Sequence, residues 1–370
     1  MKNLTNIKIL IAGILTITCF YACKKDISSG SKTPGTNNNI TSDFFTANFA
    51  GAQVNLVSDT AGFNASLIDS NLVNAWGMAT PPGGPIWISA NGKGVSTIYD
   101  RTTGQTLKAP VTIPAAMTGQ TGAPTGVIFN STPFFGGYKF IFAGEDGIIA
   151  GWKSGGAAVK VADRSQFNAV YKGLTMATDG GGNTWFLYVA NFRGGKIDVF
   201  DMNFNYVTTK PFSDPTIPAG YGPFNIQKIG DNLYVTYAKQ KAPIDMDDQP
   251  GLGNGYVDVF KTNGTLVKRF FSRGDLNSPW GMTLAPAGFA DAQQTILIGN
   301  FGDGKINVFD LTGNHLGELQ SGAHALVIDG LWGIDFFNGN VLGKGTATQW
   351  LYFSAGPDDE SHGLFGYLHK

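Results

Sequence analysis

Hydrophobic and polar residues alternate along most of this chain in short runs, each bounded by glycine, and one such run returns almost unchanged. NFRGGKIDVFD begins at Asn191 and NFGDGKINVFD at Asn300, with eight of eleven positions identical. As a template the phrase is an apolar strand, a glycine-rich turn, then an alternating strand that closes on an aromatic residue and often Asp. Period-two alternation of this length predicts half-buried strands, and the intervening glycines predict hairpin turns. The template recurs at 86–100, 139–153, 186–201, 233–261, 296–310 and 351–367, which makes six copies.

A second signature precedes each copy: AWGMA, PTGVIF, YKGLTMA, PFNIQKI, PWGMTLA and LWGIDF. Its central residues are Gly77, Gly126, Gly173, Asn225, Gly281 and Gly333, and the spacing averages about 51 residues. Repeats of that size form propellers or solenoids. Each unit holds three clear strands and a weaker fourth, with no helical periodicity, so the expected class is all-β: a six-bladed β-propeller with four-stranded blades. The stretch NFAGAQVNLVSD (48–59) has no blade of its own. It is expected to pair as the outer strand of the last blade, closing the ring and removing an exposed edge. Gly195 and Gly304 should make the turns of the repeated phrase, and Phe200 and Phe309 should pack between blades.

The first 22 residues differ from the rest. Lys2 and Lys8 lead into an apolar run ending at Phe20, followed by Tyr21, Ala22 and Cys23. This reads as an export signal that ends at a lipid-attachment cysteine, with an ordinary cleaved signal as the alternative. Residues 23–43 are small and polar and predict a flexible tether, leaving 44–370 for the propeller. Membrane contact is then expected through the lipid anchor alone, on an outer-membrane or cell-envelope lipoprotein. Both cysteines, Cys19 and Cys23, lie in this leader. The propeller therefore has no disulfide, thiolate nucleophile or cysteine metal ligand. Loss of residues 1–22 moves the net charge from −1 to −3. Without a basic block to neutralise phosphates, nucleic acid is excluded as a partner.

The phrases NLVSDTAG, FAGEDGIIAGW, PAGYGPFNIQ, LYVTYAKQ, PWGMTLAPAGF, IDGLWGI and AGPDDESHGLFG, in that order, resemble a family of exported bacterial β-propeller proteins of the NHL-like six-bladed type. The resemblance implies the fold and the exported setting. It carries no established activity.

Candidate chemistry gathers where loops converge over the central channel, on the face shared by the starts of the innermost strands and the turns between second and third strands. Candidate ligand-binding residues there are Trp76, Tyr221, Asn225, Trp280 and Trp332 at the strand starts, and Asn91, Asn191, Arg193 and Asn300 in the turns. The tryptophans either stack a flat ligand or pack the channel. Glu145, Asn225 and Asp358 form a candidate calcium set, set against solvated loop acids as the plainer reading. His362 lies among acids and is either a surface histidine or, in an enzyme, the proton carrier. Asn225 breaks the glycine pattern. No Gly-x-Ser-x-Gly elbow, zinc helix, phosphate loop or haem motif is present. Two functions follow: a binding or interaction module for a small molecule, glycan or envelope protein, and alternatively a calcium-dependent hydrolase or lactonase with its site in the channel.

Overall fold

A computed structural model describes residues 51–180, 182–337 and 350–370. The leader, Cys23 and the tether lie outside the described residues. Six four-stranded antiparallel sheets follow one another around a ring, each with its first strand innermost. The innermost strands are Ala75–Ala79, Pro124–Phe129, Tyr171–Thr178, Tyr221–Ile229, Pro279–Ala285 and Leu331–Asp335, numbered here as blades 1 to 6. The expected architecture is therefore the observed one.

Closure also follows the expectation. Ala52–Ser58 pairs antiparallel with Leu364–His369 and supplies the fourth strand of blade 6. A two-residue strand, Leu67–Ile68, adds to it in parallel, which the sequence pattern did not announce. His362 Nδ1 lies 3.0 Å from Asp59 Oδ2, and the Gly363 N–H donates to Asp59 Oδ1 at 2.9 Å. The two chain ends are thus tied by charge-bearing side chains as well as by the ladder.

Between each pair of blades lies a separate apolar layer. Phe200 joins Tyr171, Leu187 and Val189 of blade 3 to Ile141 and Ile149 of blade 2. Phe309 does the same between blades 5 and 4, against Val257 and Phe270. The repeated phrase is thus a structural module. Gly195 and Gly304 turn it at φ +62° and +72°, in the left-handed region that glycine enters freely.

The second signature has a different cause. Every innermost strand carries a register shift at this point, for example between Ala75 and Met78 and between Leu331 and Ile334. Here neighbouring inner strands nearly touch. A Cβ on Gly77 would sit 2.7 Å from the Thr125 carbonyl oxygen, and one on Gly281 would sit 2.4 Å from that of Trp332. The glycines form a belt around the axis because six strands converge on a circle with no room for side chains. Gly281→Ala should destabilise the fold by about 1–3 kcal/mol, the usual range for overpacking a filled interior. Urea unfolding that leaves the midpoint unchanged would show that the belt tolerates a methyl group and is not a tight contact.

Candidate functional site

The residues just before the belt positions are Trp76, Thr125, Lys172, Phe224, Trp280 and Trp332, and the aromatic ones meet in one cluster. Most of these form a plug. Trp76 stacks on Trp332 with ring centroids 3.4 Å apart, and Phe301 stacks on the same indole at 3.8 Å. Trp280 meets Trp76 and Trp332 edge-on, at 5.9 and 5.7 Å. Phe224 and Phe192 complete the cluster. The three indoles are 1 to 4% exposed. Their geometry is the packing alternative, with edge-to-face contacts that aromatic quadrupoles favour.

Lys172 is the exception in this ring and was not singled out from the sequence. Its side chain is 1% exposed, a position lysine tolerates only when paired. Nζ donates to Glu145 Oε1 at 2.5 Å and lies 4.0 Å from Asp247 Oδ1. It also sits 5.0 Å above the Trp76 ring, a cation–π contact in a dry setting. Glu145 accepts a second bond from Asn91 Nδ2 at 2.9 Å. Asn74 donates to Glu360 at 2.6 Å and accepts from Trp332 Nε1 at 3.1 Å. Asp248 from the long blade 4 insertion completes the group. Glu145 and Asp247 lie beside one ammonium whose charge also reaches Glu360 and Asp248, so the channel mouth is an acidic well.

Charge of one sign cannot accumulate at low dielectric. Burial first, and then the Glu145 carboxylate, push the Glu360 carboxyl up to about 8. Burial likewise pushes Asp248 up to about 6, against the lowering pull of Ser278 and Lys172. Glu360 is turned inward by Asp358-Asp359-Glu360, all three at positive φ. Glu360 Oε1 and Asp248 Oδ2 are buried without a hydrogen-bond partner among the described residues.

The other predicted residues are dispersed. Asn191 and Asn300 are buried and hold their own turns: Asn191 accepts from the Val170 and Gly194 N–H groups, and Asn300 donates to the Asp275 carbonyl. Arg193 is exposed, and the Tyr221 hydroxyl donates to Asn254 at 3.3 Å. Asn225 stands in the belt, where its Nδ2 donates to the Trp280 carbonyl at 2.8 Å and its Oδ1 accepts from the Ile226 N–H. Its amide bridges the gap between blades, opposite the bare Gly173. Of the candidate calcium set, Glu145 is therefore engaged by Lys172 and Asn91, Asn225 by backbone, and Asp358 lies on the exposed rim. Among the described residues no three His, Cys, Asp or Glu side chains are placed to hold a metal ion. His362 is spent in part on the closure, through Asp59.

Below the belt the channel opens again. A cavity of about 400 Å³ lies toward the turns that leave the innermost strands, lined among others by Met78, Met176, Met282, Asn225, Trp280 and Asp335. It faces away from the loops that carry the acidic well.

The raised carboxyl gives the fold a pH signature. Between 4.5, the ordinary value, and about 8, folded Glu360 retains a proton that the unfolded chain has released. Stability from this group therefore falls as pH rises through that window. Glu360→Gln keeps the acceptor for Asn74 and should match the wild type at pH 5. At pH 9 it should melt higher, by roughly 2–4 °C for each kcal/mol recovered. Parallel Tm curves for the two proteins across that range would remove the buried-acid account.

No protein-family profile matches the sequence. Among solved structures, the virginiamycin B lyase of Staphylococcus aureus superposes with TM-score 0.50 at 13% identity, over 86% of this chain and 99% of that one. A Bacteroides thetaiotaomicron protein of unknown function gives 0.53 at 14% identity, over 86% and 76%. At such identities the likeness is one of fold alone. The sequence relatives include two uncharacterized proteins of Acanthamoeba polyphaga mimivirus. L690 is 34% identical over 86% of both chains, and R648 is 32% identical over 86% of this chain and 80% of its own. The chain belongs to the β-propeller family that these two mimivirus proteins represent.

Proposed function

We propose that this protein is an exported propeller, anchored through Cys23, that binds a hydroxyl-rich small molecule or glycan on the loop face over the channel mouth. One observation carries the reading: Glu360 Oε1 and Asp248 Oδ2 are buried with no bonding partner at the edge of a well whose other acids, Glu145 and Asp247, remain partly exposed. Buried polar atoms left unbonded cost stability, and a ligand that completes them recovers it. A neutral carboxyl donates while a carboxylate accepts. A polyol offers both functions at close spacing and adds no charge to a well already crowded with acids.

The calcium-dependent hydrolase reading has weaker support. His362 is oriented by Asp59 as a general base would be. Of the oxygen ligands proposed for the ion, however, Glu145 and Asn225 are engaged elsewhere and Asp358 stands apart on the exposed rim.

A thermal-shift screen of sugars and polyols should return a ligand that raises Tm by about 2 °C or more at saturation. Asp247→Asn, at the more exposed side of the well, should weaken that ligand severalfold while leaving the unliganded Tm close to wild type. Calcium-dependent turnover of lactones or phosphoesters, or a screen without any stabilising hydroxylated compound, would replace this reading. Cys23→Ser should move the protein from the membrane fraction to the soluble one. An unchanged distribution would count against the anchor.

A further inference from the structure

The cavity below the belt has a character opposite to that of the acidic well. Three inner strands contribute methionines to it, Met78, Met176 and Met282, together with Val127, Ile128 and Ile334. Thioether side chains are unbranched and polarizable, so they mould to ligands of varied outline. A volume of about 400 Å³ falls in the range that encloses a small organic molecule.

Polar side chains share this wall, among them Thr80, Ser131, Asn225, Thr175 and Gln227. Thr175 is 6% exposed, and its hydroxyl, like the Gln227 amide, makes no hydrogen bond in the described structure, although both residues line the cavity. An enclosed hydroxyl and a half-buried amide left open beside three methionines are what a ligand with one hydrogen-bonding group would complete. Charge is poorly provided for. Arg101 at the rim is buried and already engaged, and Asp335 is occupied by the Thr283 hydroxyl at 3.3 Å and the Phe337 N–H.

We propose that this chamber is a second binding site, independent of the loop-face site, for a neutral and mainly apolar small molecule bearing one hydroxyl or carbonyl group. The glycine belt and the tryptophan plug stand between the two sites, so each ligand enters from its own end of the ring. Thr175 and Gln227 meet the polar group, and the three methionines close around the remainder.

The test uses fluorescent probes on the intact protein. N-phenylnaphthylamine, which is neutral, should bind saturably at one probe per chain. Its anionic relative anilinonaphthalenesulfonate should bind at least tenfold more weakly. Met176→Trp, or Met78→Phe should the first variant not fold, fills the chamber and should lower affinity for the neutral probe at least tenfold with Tm retained. Naphthol should displace the probe severalfold better than naphthalene in the wild type, and equally well in Thr175→Val. Absence of saturable binding by the wild type, binding unchanged in a folded chamber-filling variant, or equal affinity for the sulfonate would overturn the proposal. Equal displacement by naphthol and naphthalene in the wild type would overturn its hydroxyl contact. None of these outcomes bears on polyol binding at the loop face, so the two readings fail separately.

Discussion

The close approach of six inner strands governs this molecule. Where they converge, the backbones leave no space for a Cβ on Gly77 or Gly281, and the register of every inner ladder shifts to let the strands pass. That constriction divides the axis. Side chains one residue before it are thrown toward the loop face, and because most of them are large and aromatic they fill the channel completely. Side chains after it diverge with the strands and leave a chamber. The plug, the acidic well and the methionine-lined cavity are consequences of one steric fact.

Asn225 shows the constraint from the other side. It is the sole belt position with a side chain, and it fits because Gly173 opposite it is bare: a Cβ there would lie 1.9 Å from Asn225 Oδ1. The amide then bridges to the Trp280 carbonyl of the next blade. Glycine at this position would leave a gap and an unbonded carbonyl, so the departure from the repeat is a local repair of packing. The same logic explains why Asn191 and Asn300, conspicuous in the repeated phrase, serve their turns: an Asn at the end of a second strand can reach the backbone that leads into its own blade, and both do.

Blade number, ring closure and the interblade role of Phe200 and Phe309 were legible because each depends on short-range alternation repeated at a fixed interval. Lys172 was not. In sequence it is one letter inside YKGL, at a position where other repeats carry Trp, Thr or Phe, and that contrast was the available signal. Its meaning comes from Glu145, 27 residues earlier on a neighbouring blade, and from Asp247, 75 residues later. Glu360 was legible as one of the loop-face acids around His362, but its burial was not: only the left-handed run from Asp358 turns it from a rim acid into a buried one, while its neighbours stay exposed. The chamber below the belt had no motif to declare it, since a cavity is defined by the side chains that fail to meet.

The charge at the mouth can be argued one step further. Burying an isolated ammonium beside Trp76 and Phe192 would cost several kcal/mol, and a single carboxylate at hydrogen-bond distance offsets much of that. Glu145 alone would suffice for pairing. The structure instead brings three more acids near Lys172, and two of them hold their protons well above the usual carboxylate range. Such an arrangement is destabilising relative to a simple pair, and stability does not require it, because the plug and the six interblade layers already fix the ring. Residues that burden a fold in this way, drawn from two blades and an insertion of a third, concentrate where a surface is shaped for something other than its own chain. The well is therefore the part of this propeller least explained by folding, and for that reason the proposed binding is assigned to it.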